Sequence, residues 1–208
     1  MYQKRIKRIL DFTISLCGLI VLMPAFFMLM IWIKLDSRGP VFFKQKRVGI
    51  HKTYFEILKF RTMRTDTPKD MPTHMLSDPQ QYITKAGAFL RKTSLDELPQ
   101  ILNILKGDMS IVGPRPALWN QDDLIAERDK YGANDVMPGL TGWAQVNGRD
   151  ELEIPVKAKL DGVYAKHISF RMDCICFLKT ITSVLRHDGV VEGGTGEMKK
   201  KRKKPAAK

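Results

Sequence analysis

Apolar residues fill one long stretch of this chain and afterwards recur at spacings that change from segment to segment. Phe12 to Ile33 runs 22 residues without a charge. As a straight helix it would measure about 33 Å, enough to cross a bilayer. Gly39-Pro40 then breaks the chain. Val41-Phe42-Phe43 and Tyr54 to Phe60 read as short strands joined through Val48-Gly49-Ile50. Period-two geometry puts Phe55, Ile57, Lys59 and Arg61 on one face of the second strand. Asp66 to Pro79 is polar, holds three prolines and reads as a loop. Helical spacing returns at Ile83–Lys92. It returns again where Leu95, Leu98, Leu102 and Leu105 mark a helix from Asp96 to Leu105, with Gly107 as its stop. A third helix is expected from Trp119 to Tyr131, and Met137 to Arg149 is glycine-rich and irregular. His167 to Leu185 reads as an amphipathic helix, apolar at Met172, Ile175, Phe177, Leu178, Ile181 and Leu185. It either covers the core or lies on a membrane surface.

The flanks of the apolar run argue against a simple span. Lys4, Arg5, Lys7 and Arg8 precede it; Lys34, Arg38, Lys44, Lys46 and Arg47 follow it. The positive-inside rule places both ends in the cytoplasm. Met23-Pro24 lies at the middle, where a proline removes a backbone hydrogen bond and kinks the helix. The run is too long for a typical signal peptide and lacks its cleavage site. The economical reading is a helix that enters the membrane, bends near Pro24 and returns to the same face. A kinked span and a buried soluble helix are the alternatives. The predicted fold is α+β and mostly helical. Residues 1–36 form a basic N-terminus and re-entrant membrane helix kinked at Pro24. Residues 37–190 form a compact cytosolic catalytic domain with a small β-hairpin and amphipathic interfacial helices. Residues 191–208 form a polybasic, disordered tail.

Charge narrows the partners. The formal net charge is +13, and seven of those charges lie between Lys199 and Lys208, leaving +6 elsewhere. Anionic lipid, nucleic acid and phosphorylated substrates all suit such a chain. Three cysteines and four scattered histidines give neither a disulfide framework nor a metal-ligand spacing. Cys174-x-Cys176 reads as packing. There is no Walker motif and no Rossmann glycine fingerprint, which argues against nucleotide binding by those routes.

The chemistry concentrates in Arg91-Lys92-Thr93-Ser94-Leu95-Asp96-Glu97-Leu98-Pro99-Gln100. Two adjacent carboxylates follow two cations at an expected helix start. Pro99 has no N–H and fits only within a first turn, which puts Asp96 at or near the N-cap. There a carboxylate is held ionised and can act as a nucleophile. The plainer alternative is a capping box, Ser94-x-x-Glu97, that merely starts the helix. Lys59, Arg61, Arg91, Arg115 and Arg149 each sit beside turn or element-end signals, as phosphate contacts do. Arg115 lies between Pro114 and Pro116 on a stiff backbone, which lowers the entropy cost of clamping an oxyanion.

Taken in order, several stretches resemble the bacterial sugar transferase family, the small monotopic phosphoglycosyl transferases. They are Lys4 to Asp11, Lys59-Phe60-Arg61-Thr62-Met63, Thr93 to Gln100, Leu105 to Ser110, Val112-Gly113-Pro114-Arg115-Pro116 and Pro138 to Arg149. The resemblance covers roughly residues 2 to 190. It departs at the membrane bend, where the family's Ser-Pro is here Met23-Pro24. The resemblance implies transfer of a phosphosugar from a UDP-sugar to undecaprenyl phosphate, with release of UMP, at the cytoplasmic face of the bacterial inner membrane. Asp96 and Glu97 would be the catalytic dyad, with Asp96 forming a covalent phosphosugar intermediate and binding Mg2+. Lys59, Arg61, Arg91, Arg115 and Arg149, with Thr141, Gln145 and Asn147, would contact substrate. Membrane phospholipid is an expected partner and nucleic acid is not; a homodimer stays open. Two rivals make different demands. A membrane-tethered binding protein for anionic lipid or nucleic acid gives Asp96-Glu97 no role. A bitopic membrane-anchored hydrolase places its domain outside.

Overall fold

The computed structural model of the chain describes residues 2–67, 79–148 and 152–186. Most of the expected Asp66–Pro79 loop, Arg149 and the expected 191–208 tail lie outside those residues. One helix, α1 (Lys7–Asp36), contains the whole apolar run with Pro24 inside it. Its buried positions fall in two groups, Lys7, Asp11 and Ser15 and then Phe26, Leu29 and Ile33, each spaced by three or four residues along the domain-facing side. The other side is apolar and open: Ile20, Val21, Phe27, Met28 and Ile31 are all exposed.

Both ends of α1 are tied to the same domain. Near its start Lys7 Nζ donates to Asp173 Oδ2 at 2.7 Å, and Arg8 donates to the carbonyls of Ile104 and Leu105. Asp11 accepts from the Ser110 hydroxyl at 2.6 Å and from the Ile111 N–H at 3.1 Å. At its end Arg61 donates to the Ser37 carbonyl and hydroxyl at 2.7 and 2.8 Å. Asp36 accepts from the Ala86 N–H at 3.0 Å. Two of the flanking cations therefore differ from their sequence reading. Lys7 is buried in an ion pair and Arg8 closes the end of a neighbouring helix, so neither is a free interfacial charge.

The hairpin is longer than its apolar residues suggest. β1 (Phe42–Val48) pairs antiparallel with β2 (Tyr54–Phe60), from Phe42 opposite Phe60 to Val48 opposite Tyr54. The charged alternation of Lys44, Gln45, Lys46 and Arg47 hid the second half of β1. α2 (Lys85–Thr93) starts at Thr84, whose side chain accepts from the Gly87 N–H. Phe60 and Leu90 join Phe26, Leu29 and Ile33 of α1 in one apolar cluster. A Cβ on Gly87 would lie 1.9 Å from the Thr62 carbonyl, so this contact between α2 and the end of β2 admits only glycine.

The expected helix from Asp96 to Leu105 is two pieces. A tight 3-10 turn covers Leu95–Glu97, and α3 runs only from Gln100 to Lys106. Pro99 has no N–H to return to Leu95, so the regular ladder starts after it. The entry is closed instead by the Leu98 N–H to Leu95 carbonyl bond at 3.2 Å. Gly107 ends α3 at φ 103°, in the left-handed region expected of a glycine stop.

Two short strands are paired in parallel, β3 (Ser110–Val112) and β4 (Gly139–Thr141). β4 lies inside the segment expected to be irregular. α4 (Asp122–Asp129) is shorter than the expected Trp119–Tyr131 helix. A further helix, α5 (Ile154–Lys166), precedes α6 (Phe170–Arg186). α6 divides its apolar residues. Cys176 and Met172 pack with Val112 and Tyr164, whereas Phe177, Leu178 and Ile181 stay exposed. Among the described residues the chain is mostly helical, with two small two-stranded sheets.

Candidate active site

Four side chains from three parts of the chain meet around the 3-10 turn. Ser94 takes a left-handed conformation, φ 57°, between α2 and the turn. That reversal brings Asp96 and Glu97 back against the end of β2. Asn103 holds the arrangement in register. Its side chain accepts from the Leu58 N–H at 2.9 Å and donates to the Glu56 carbonyl at 2.8 Å, in place of a third strand. α3 is thereby fixed beside β2, and the turn at its start lies beside Lys59.

Lys59 Nζ donates to Glu97 Oε1 at 2.7 Å and lies 3.8 Å from Asp96 Oδ2. Arg115 arrives from the other side, its Nη2 2.7 Å from Glu97 Oε1 and its Nη1 3.5 Å from Oε2. Glu97 is thus gripped by two cations. The capping-box reading fails on this geometry, because Ser94 makes no side-chain cap and Glu97 reaches Lys59 and Arg115. Asp96 is not an N-cap either, since α3 begins four residues later. Its counter-charge comes from side chains.

The two carboxyls are driven in opposite directions. Burial pushes Asp96 above the ordinary aspartate value, and the charge of Glu97 adds to this, while Lys59, Arg91 and Arg115 act against it. Burial opposes the charge of Glu97 too, but Arg115 and Lys59 overcome it and hold this carboxyl far below the usual range. Its two cations thus favour the ionised form of Glu97. Asp96 is the more basic of the pair, with 14% of its side chain exposed. A basic, partly open carboxylate beside a fixed cation is suited to attack an electrophile.

The other expected contacts separate into groups. Arg91, at the end of α2, donates to the Thr62 hydroxyl at 3.0 Å and acts electrostatically on Asp96. Arg61 turns away: it is 4% exposed and serves Ser37 and Ile33 at the end of α1. Thr141 hydrogen-bonds Thr180 of α6, Gln145 donates to the Leu140 carbonyl, and Asn147 donates to the Trp143 carbonyl. These three cluster on the β4 segment, and their contacts lie there and on α6. Arg149 falls outside the described residues.

Sequence reasoning missed Arg47, which it counted as a membrane-flank charge. The Arg47 guanidinium is buried against the active-site segment, donating to the Pro116 carbonyl at 3.0 Å and to Gln45 Oε1 at 2.7 Å. Burial, with the neighbouring Arg115 charge, lowers it to about 10, and Glu97 acts in the other direction. The available signal was alternation: Arg47 lies two residues from Gln45 and opposite Phe55, on the strand face that carries Lys59.

Among the described residues no three His, Cys, Asp or Glu side chains group as a ready-made cage for a metal. Glu97 is occupied by its cations. Asp96 is the carboxylate of the pair that remains available as one ligand for a divalent cation.

The description "Bacterial sugar transferase" matches residues 2–187. The chain is 39% identical over 185 residues to the "Uncharacterized sugar transferase EpsL" of Bacillus subtilis (strain 168), covering 89% of this chain and 90% of that protein. It is 40% identical over 185 residues to the "Undecaprenyl-phosphate glucose phosphotransferase" of Komagataeibacter xylinus, covering 84% of this chain and 35% of that protein. It is 35% identical over 199 residues to the "Undecaprenyl-phosphate galactose phosphotransferase" of Salmonella typhimurium (strain LT2), covering 88% and 41%. The chain thus spans less than half of these two longer relatives and most of the first. With the match running from before α1 to the end of α6 and taking in Asp96, Glu97, Lys59 and Arg115, the chain belongs to the bacterial sugar transferase family.

Proposed function

We propose that this enzyme transfers a phosphosugar from a UDP-sugar to undecaprenyl phosphate through a covalent intermediate on Asp96. The observation that carries this reading is the split of the dyad: Glu97 locked between Lys59 and Arg115, and Asp96 left basic beside them. An Asp96 oxygen attacks the β-phosphorus of the donor. The bond from that phosphorus to the bridging oxygen breaks, and UMP leaves with the oxygen and its electron pair. A phosphate oxygen of the lipid acceptor then attacks the same phosphorus. The aspartyl bond breaks, Asp96 returns to a carboxylate, and the polyprenyl-diphosphate-sugar departs. Neither step needs a proton from Glu97. Its work is to aim Lys59 and Arg115 at the charge that develops on the phosphoryl oxygens. Bound Mg2+ would neutralise diphosphate charge, with Asp96 as its protein ligand. The names of the two longer relatives, which specify undecaprenyl phosphate with glucose and galactose, support the acceptor and the donor class.

The same proposal includes a monotopic placement on the cytoplasmic face. Lys7, Arg8 and Asp11 at one end of α1 and Ser37 at the other all bond to one domain. This two-ended attachment supports a helix that enters the bilayer and returns to the same face. A bend at Pro24, with the open apolar side in lipid, satisfies both attachments. The test is product analysis with Mg2+, undecaprenyl phosphate and a panel of UDP-sugars. UMP release by one donor supports the proposal. UDP release would mean ordinary glycosyl transfer and reject it.

A further inference from the structure

The Pro114-Arg115-Pro116 segment is held from behind by its main chain. Gly139 N–H donates to the Pro114 carbonyl at 2.9 Å. Arg128 Nη2 donates to the Arg115 carbonyl at 3.0 Å. Arg47 Nη1 donates to the Pro116 carbonyl at 3.0 Å. All three consecutive carbonyls are therefore engaged, two of them by arginine side chains. The prolines contribute no N–H of their own and fix φ on either side of Arg115. Arg128 is itself immobilised. It is 3% exposed, and its Nε and Nη2 both bond Asp161 Oδ2 of α5, a residue only 1% exposed.

From two different elements, α4 and β1, two guanidinium groups each place a donor on consecutive carbonyls, that of Arg115 itself and that of Pro116 beside it. We propose that Arg128 and Arg47 are positioning residues: they fix the backbone of Arg115 so that its guanidinium keeps its grip on Glu97. This rests on the reading of the Asp96–Glu97 site given above, and it extends that site to α4, α5 and β1. The arrangement answers a mechanical need. Arg115 is 36% exposed at its side chain, and a free arginine on a surface loop would sample many rotamers. Anchoring its main chain limits where the guanidinium can go.

The experiment is a double-mutant cycle read by UMP release under saturating and limiting donor. Arg128→Gln is expected to lower turnover about 10²-fold, the scale of a 1 Å misplacement of a catalytic group. In an Arg115→Ala background the same change is expected to cost no more than about twofold, because its target is gone. Arg47→Met is the companion variant and leaves no buried carboxylate unpaired, so it keeps the test open where Arg128→Gln fails to fold. It is expected to show the same loss and the same dependence on Arg115. Equal losses with and without Arg115 would overturn the proposal and make both residues purely structural. A wild-type protein that releases no UMP from any donor would overturn the site reading, and this inference with it.

Discussion

Asp96 and Glu97 are neighbours with opposite problems, and each makes a separate prediction. Burial raises Asp96, so its ionised form costs folding stability above its folded pKa and costs nothing in acid, where it is protonated in both states. Asp96→Asn should therefore melt higher than wild type at pH 7.5, by about 2–4 °C for each kcal/mol gained, and the gain should vanish as the pH falls below the ordinary aspartate value. A lower melting temperature at pH 7.5 would mean that Lys59 outweighs burial. Glu97 has the reverse sign. Its folded pKa is depressed, so its stabilisation is present above the ordinary glutamate value and is lost as pH falls through that value toward the folded one. Glu97→Gln should cost about 3 kcal/mol at neutral pH, because two cations are left facing an uncharged amide. The deficit should shrink in acid. A constant deficit between pH 7 and pH 3 would show that the ion pairs contribute nothing. The structure brings together Asp96, Glu97 and Lys59, which the sequence singled out separately, the two carboxylates beside a turn and the lysine near a strand end. The place of Arg61 was not legible, since alternation put it on the same strand face as Lys59 but could not show that Ser37 lay within its reach.

At the scale of elements, the site depends on how α3 and α2 meet β2. Asn103 replaces a strand for Leu58 and Glu56. Asn103→Ala should remove both of these hydrogen bonds and the longer one to Asp108 Oδ2 at 3.3 Å, and cost about 2 kcal/mol or more. That would be seen as a drop of about 4–8 °C in melting temperature. An unchanged melting temperature would mean that water takes over the freed partners. The hairpin partner β2, the glycine stop at Gly107 and the long first helix were readable from periodicity and punctuation. The start of α3 was not, because leucines at three- and four-residue steps fit a 3-10 turn followed by an α-helix as well as a single helix. β3 and β4 have three residues each and pair across a long separation, too little sequence for a period to register. α5 was missed because few apolar residues mark its buried side, which holds Ala158, Asp161, Gly162 and Tyr164.

At the scale of the molecule, one apolar helix is fastened to one domain at both ends. This makes a topological prediction for the protein in inverted and right-side-out membrane vesicles. Single cysteines at Gln3 and Lys44, in a background lacking the three native cysteines, should both react with an impermeant maleimide from the cytoplasmic side only. Labelling of the two positions from opposite sides would establish a span and end the monotopic account. The positive flanks pointed to the same topology on partly different grounds. Lys7 and Arg8 turn out to serve the fold, and the two-ended attachment is the support that the proposed topology has instead. Phe177, Leu178 and Ile181 of α6 are exposed apolar residues as well.

The most direct test of the central claim is a single turnover without acceptor. Purified protein is mixed with its UDP-sugar and Mg2+, quenched in acid and digested. The expected result is one UMP released per active site, with a phosphosugar mass on the peptide containing Asp96, both absent from Asp96→Asn. UMP appearing only when undecaprenyl phosphate is present, with no modified peptide, would contradict the covalent route and leave direct transfer between the two substrates in its place.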